Sequence, residues 1–347
     1  ADLMLGMLCL PPPPIKSRAY SLADSYFTIP QSKKQGLFCS TAALLHTFAA
    51  AAHTIPYLVS EGGMTTMYSS ARTDLALEQR EMLGQGGEIP GVALHEEQRG
   101  GFNVTAIDIL DEEGAGILCK PIGRYVTVEL DTLLRRREAT FAEAAELLAG
   151  ELRALLPPAG GCSLVAGLGN AAMTPDAVGP LALDSVLATR HLKRQLPEDF
   201  AAFSEVCAVR PGVLGTTGLE TAELLHAVSS AVSPARILAV DALASNRLER
   251  LCRTVQLSNA GIVPGSGVGN DRAELCERTL GAPVIAIGVP TVVDAACFSA
   301  DEAARGMFVT PRDIDASVRD IAKLIGYAID LALHDGLTVE DIDTLIS

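Results

Sequence analysis

From residue 71 onward, short apolar runs rich in β-branched residues alternate with stretches of helical period. The runs are Val104–Leu110, Tyr125–Leu130, Ser163–Gly167, Val206–Val209, Arg236–Val240, Thr254–Leu257 and Pro283–Val289, and they read as strands. Helical periodicity covers Phe141–Leu156, Asp176–Leu196, Thr221–Val232 and Asp313–His334. A last short helix, Val339–Ile346, starts behind Thr338, with Asp341 at the capping-box position. Strands separated by helices predict an α/β sandwich whose mostly parallel sheet is covered on both faces. In such a sheet, chemistry sits beyond the carboxyl ends of the strands. The residues that follow each apolar run are therefore the ones to inspect.

Residues 1–70 follow a different pattern. They contain the run Pro11–Pro14 and an alanine-rich apolar stretch, Ala42–Val59, behind Lys33 and Lys34. His46, His53 and Pro56 interrupt that stretch, which makes a poor membrane span. The region reads as a non-native or upstream-translated extension, with Met64 or Met67 as the natural start, or else as an internal signal-like segment. Residues 71–347 then form one α/β domain.

Charge narrows the function. The 347 residues carry 27 Lys and Arg against 42 Asp and Glu, a formal net charge of −15. Residues 71–347 account for −16 of it, since the first 70 carry four basic and three acidic side chains. An acidic surface argues against grip on nucleic acid phosphates or an anionic membrane. The eight cysteines form no CxxC pair and the six histidines no HExxH, so zinc-ribbon and zinc-protease readings are poor and reduced thiols are expected.

Two aspartates stand out. Gly167–Ala172 formally matches a dinucleotide fingerprint, but the helix behind it starts late, at Pro175, too far along to sit under a pyrophosphate. The turn reads better as a platform for Asp176, placed in a first helical turn where free N–H groups and the helix dipole favour the ionised carboxylate. Asp241 follows Arg236–Val240, at the end of an apolar strand, where burial would raise its pKa. Two carboxylates in opposite environments can serve as base and acid against an amide, or can hold a divalent cation. Asp294 is a third residue at the same sheet edge. The glycine-rich stretches Pro211–Glu220 and Pro264–Asn270 fit no P-loop and read either as plain tight turns or as loops that offer backbone groups to an extended peptide or an oxyanion.

Taken together, these strings resemble the germination protease family, endopeptidases that degrade small acid-soluble spore proteins in spore-forming bacteria. The resemblance runs through residues 72–78, 123–129, Gly167–Asn170, Thr174–Pro180, 189–192, 211–215, Val240–Ala244, Gly261–Asn270 and Ile285–Ala295. It implies a three-layer fold similar to the hydrogenase-maturation proteases, with atypical aspartic-type catalysis by Asp176 and Asp241. It implies a tetrameric zymogen in the spore core that cuts its own prosegment between Asp74 and Leu75, with no cofactor or metal. Asn170, Gly215, Glu220 and Asp294 would support the site or bind substrate. The family prosegment is short, whereas 74 residues precede Leu75 here; a start at Met64 would leave 11. The family's insertion after the match to Asp294 is missing. A metal-dependent peptidase of the hydrogenase-processing type and a non-catalytic peptide binder are the competing readings.

Overall fold

Gly100 and Gly101, with φ of 56° and 89°, turn the chain between two antiparallel strands, β1 (Val92–Arg99) and β2 (Phe102–Ile109). Positive φ at both central positions is the requirement of a tight hairpin turn, and glycine meets it without steric cost. The computed structural model describes residues 73–84, 87–130, 138–158, 160–269, 272–299, 304 and 306–346. They belong to one compact unit, Met67–Ser347. The proline run, the stretch 42–59, Met64 and Met67 lie outside the described residues.

The remaining strands are β3 (Gly123–Glu129), β4 (Ser163–Leu168), β5 (Val206–Gly212), β6 (Arg236–Ser245), β7 (Thr254–Ser258), β8 (Val284–Asp294) and β9 (Phe308–Val309). They form one sheet in the order β1-β2-β3-β7-β8-β6-β4-β5, with β9 paired to β8. The sheet is mixed. β8, β6, β4 and β5 run parallel, whereas β1, β2, β3, β7 and β8 pair antiparallel in succession, as do β8 and β9. This corrects the expected mostly parallel sheet. The β1–β2 hairpin is short, and β7 returns beside β3 and β8 in the opposite direction, so only the half built on β4, β5, β6 and β8 is parallel.

Alternation along the strands assigns two faces. Val126 and Val128, Val255 and Leu257, Ile285 and Ile287, and Leu238 and Val240 pack into one core with helices α3 (Glu138–Leu155), α4 (Val178–Ala182), α6 (Ile314–Leu333) and α7 (Val339–Ile346). On the opposite face, Leu164, Ile237, Ala239 and Val284 pack against Leu225 of α5 (Thr221–Val232). There too, Ile107, Ile109 and Tyr125 pack against Ala76 and Leu77 of α1 (Ala76–Met82) and Leu118 of α2 (Glu112–Leu118). Among the described residues, no helix is long and apolar enough to cross a membrane.

Two further expectations change. The periodic stretch Asp176–Leu196 is not one helix: a 3-10 turn at Thr174–Asp176, α4, a 3-10 turn at Leu183–Ser185 and a helix at Arg190–Gln195 divide it. Gly179 lies flush on the sheet, where a Cβ would stand 2.3 Å from the Leu168 carbonyl oxygen and 2.4 Å from that of Val240. Beyond it, the Leu187 N–H is taken by the Asp330 carboxyl at 3.0 Å, which ends the helical run. Asp241 does not end its strand either. β6 continues through Ala242–Ser245 because β8 keeps pairing with it as far as Val293, past a bulge between Leu243 and Ala244.

Candidate active site

Register places Asp241 opposite Gly288 of β8, and Gly288 in turn opposite Gln256 of β7. Asp241 shares the parity of Ile237 and Ala239, so its side chain leaves the sheet on the face that carries α1 and α2. Gln256 and Asp241 thus flank one glycine in a row across three strands, roughly 10 Å apart at the backbone from the strand spacing.

Asp241 is buried, and its Oδ1 accepts from the Ala242 N–H at 3.0 Å. Burial holds its carboxyl well above the ordinary carboxylate range. The negative charge of Asp176 raises it further; the Ala242 hydrogen bond acts the other way, and Asp74 adds a smaller upward push. Asp176 sits at the end of the 3-10 turn that follows β4. Its pKa is also raised, by burial, against the pull of the Asn170 N–H, which donates to Oδ2 at 2.8 Å. The expected helix-dipole stabilisation is therefore replaced. Thr174 makes no cap and instead donates to Asp315 at 2.7 Å, and one backbone N–H favours the charged form of Asp176. Gly169 makes this loop possible: its φ is +102°, and a Cβ there would meet the Asp176 carbonyl oxygen at 2.1 Å. Neither aspartate is ion-paired among the described residues.

The chain's own residues 73–78 lie on the same face. The Asp74 N–H donates to the Ala244 carbonyl at 3.0 Å, and the Ala244 N–H donates back to Asp74 Oδ2 at 2.9 Å. Ser266 Oγ donates to Oδ1 at 2.6 Å. Gly267 packs so closely that a Cβ would lie 2.0 Å from Oδ2. The Asp74 carbonyl accepts from Lys120 Nζ at 2.8 Å and Gln256 Nε2 at 3.2 Å. The other end of the Gln256 amide, Oε1, accepts from the Ala76 N–H at 2.7 Å. Leu75, between them, is fully buried. Beside this segment lies a cavity of about 300 Å³, lined by Asp74, Lys120, Tyr125, Leu243, Gln256 and Gly288 among others.

Downstream, α1 is pinned by its one fully buried acid. Glu78 accepts from Thr73 Oγ1 at 2.5 Å, Ser245 Oγ at 2.6 Å, the Asn246 N–H at 2.7 Å and Arg250 Nη1 at 3.1 Å. Arg250 also donates to Glu81 at 2.6 Å.

The structure thus brings together Asp176, Asn170, Asp241 and Asp74–Leu75. Gly215, Glu220 and Asp294 are held in other local contacts. Gly215 lies in the short helix Leu214–Thr217 after β5. Glu220 caps α5 and faces Arg272 at 3.6 Å. Asp294 caps the turn Ala295–Cys297 through the Ala296 N–H at 2.9 Å. Among the described residues, no group of three or more His, Cys, Asp or Glu side chains could hold a metal ion, so the two aspartates lack a third protein ligand of those types. Lys120, Gln256, Ser266 and Glu78 were not singled out from the sequence. Ser266 stands inside a glycine-rich string that was, and a glutamine within the apolar run Thr254–Leu257 was the one visible sign of Gln256.

Fold and site define an α/β protein with a buried aspartate, a half-buried one whose charge reaches it, and a peptide segment of its own chain bound across the same sheet face. The chain belongs to the germination protease family, whose model matches residues 70–307. It is 40% identical over 322 aligned residues to the germination protease of Clostridium tetani, covering 80% of this chain and all of that one. It is 40% identical over 317 residues to that of Caldanaerobacter subterraneus, covering 79% and 98%. With that of Bacillus velezensis it shares 44% over 240 residues, covering 66% and 65%.

Proposed function

We propose that this chain is an endopeptidase made as a self-processing zymogen, with small acid-soluble spore proteins as its substrates. Asp176 and Asp241 form the catalytic pair, and Asp74–Leu75 is the bond cut in processing. The observation that carries the reading is the state of residues 73–76. They lie bound as a peptide on the face to which Asp241 points, and the Asp241 carboxyl senses the charge of both Asp176 and Asp74.

The environments divide the roles. Asp241, buried and beside a charged neighbour, keeps its proton and serves as the acid. Asp176, with a backbone donor, carries the charge and serves as the base. The pair titrates as a unit, so the two labels describe one microstate. Recognition of Asp74 through Ser266 and the Ala244 N–H fits substrates cut after an acidic residue. The family resemblance extends the reading to a homotetramer inside the spore, which sedimentation of the full chain tests.

The test is mass spectrometry of the full chain incubated at mildly acidic pH. A new N-terminus at Leu75, absent in Asp176→Asn and Asp241→Asn, supports the reading. An intact wild-type chain, or a variant that still cuts at the wild-type rate, sinks it.

A further inference from the structure

The carbonyl of the bond between Asp74 and Leu75 is held by two donors, neither of which forms an ion pair or hydrogen bond with a carboxylate among the described residues. Lys120 follows α2 directly, and Cys119 before it adopts the left-handed conformation, φ 50°, that turns the chain back toward the sheet. Its Nζ donates to the Asp74 carbonyl at 2.8 Å, and it forms no ion pair among the described residues. The Asp74 carboxylate nearby is already engaged by Ser266 and Ala244. A half-buried ammonium therefore points at a neutral carbonyl. Burial lowers the Lys120 pKa, partly offset by the charge of Asp74, so the ammonium gains from any negative charge that appears at its tip.

Gln256 supplies the second donor, and its orientation is fixed. The Ala76 N–H donates to Oε1 at 2.7 Å, which leaves Nε2 to face the Asp74 carbonyl at 3.2 Å. A flipped amide would set Nε2 against the Ala76 N–H, donor against donor. Gln256 and Asp241 flank Gly288 in the same row of the sheet. The donors and the buried acid thus border one stretch of peptide.

We propose that Lys120 and Gln256 are catalytic residues that bind the carbonyl oxygen of the scissile bond and stabilise the negative charge formed on it. The inference rests on the proposed cut at Asp74–Leu75 and adds its electrophilic half. In the step, the oxygen of a water molecule bonds to the Asp74 carbonyl carbon and one water proton passes to the ionised carboxylate of the pair. The carbonyl π electrons move onto oxygen, opposite the Lys120 ammonium and the Gln256 amide. The pair then returns to re-form C=O as the C–N bond breaks; its electrons go to the Leu75 nitrogen, which takes the proton of the neutral carboxyl. The products are a carboxylic acid at Asp74 and an amine at Leu75. Donors already aimed at the oxygen cost no reorganisation when charge develops, the condition for large electrostatic stabilisation.

The experiment compares wild type, Lys120→Met, Lys120→Arg and Gln256→Met, both in self-processing and in cleavage of a free peptide bearing Thr-Asp-Leu-Ala-Leu-Glu. Loss of one such donor lowers kcat by about 10²- to 10³-fold, with KM changed only a few-fold. Lys120→Arg recovers part of the loss, and thermal unfolding stays near that of wild type. A Lys120→Met chain that processes as fast as wild type, or faster, overturns the proposal: the ammonium would then merely restrain the uncut segment. That outcome leaves the cut itself standing if wild type still yields Leu75 and Asp176→Asn does not. A wild-type chain that never cuts there overturns both.

Discussion

The Asn170 N–H donates to Asp176 Oδ2 at 2.8 Å, and among the described residues this is the one hydrogen bond that favours the ionised form of a carboxylate otherwise pushed up by burial. Asp241, a strand away, has its pKa raised further by the charge so favoured. Replacing either carboxyl by an amide of the same shape should remove processing by at least about 10³-fold, the scale expected when an acid–base group is lost. Asp241→Asn should keep the fold, since burial already favours the neutral form of the native side chain. Intact-mass measurement over days, with circular dichroism, checks both.

The rate should be bell-shaped in pH. Asp241 must hold a proton, so activity declines as pH rises through its raised pKa. Asp176 must lack one, so activity declines again in acid, and because burial raises this pKa too, that limb lies at higher pH than an exposed aspartate would give. Processing rates between pH 4 and 9 decide the matter; a flat profile contradicts the pair.

Gly267→Ala should obstruct the pocket for the acidic side chain, because the new Cβ would stand 2.0 Å from Asp74 Oδ2. Processing should slow at least tenfold. Asp74→Ala, which removes the obstructed carboxylate, should cost little more in the Gly267→Ala background than it does alone. Such non-additivity marks two residues that act through one contact.

Asp330 makes a prediction about stability. It is fully buried in α6, its only hydrogen-bond partner among the described residues is the Leu187 N–H, and burial lifts its carboxyl to about 8 from an ordinary 3.8. The folded state then binds a proton that the unfolded state releases between pH 4 and 8. Stability falls as pH rises across that window, by up to about 1.4 kcal/mol per unit. Asp330→Asn should be more stable than wild type at pH 8, with the advantage shrinking toward pH 4. Urea unfolding at the two pH values measures it.

Local pattern carried much of this structure. Thr221–Val232 is a helix at the predicted bounds, and the Thr338–Asp341 capping box forms, the Asp341 N–H donating to Thr338 Oγ1 at 3.2 Å. Strand direction was not legible, because it depends on which strands become neighbours, and β7 finds β3 and β8 on either side. Strand β1 was missed: Val92–Arg99 is half polar and largely exposed, as an edge strand can be. Asp176 and Asp241 stood out as acids beside apolar runs. Lys120 and Gln256 did not, since an ordinary loop lysine and a strand glutamine gain meaning only where residue 74 is laid between them.

The tie between Glu78 and Arg250 lies downstream of Leu75, so severing the chain at that point leaves it whole. Upstream of the cut, the described residues Thr73 and Asp74 are held by hydrogen bonds. Until then, a peptide arriving from solution competes with a tethered rival whose effective concentration is on the order of millimolar or more. Under the proposed zymogen reading, latency would need no separate inhibitor. If the proposed cut is made within each molecule, the delay before foreign chains are digested should not shorten when the protein is concentrated.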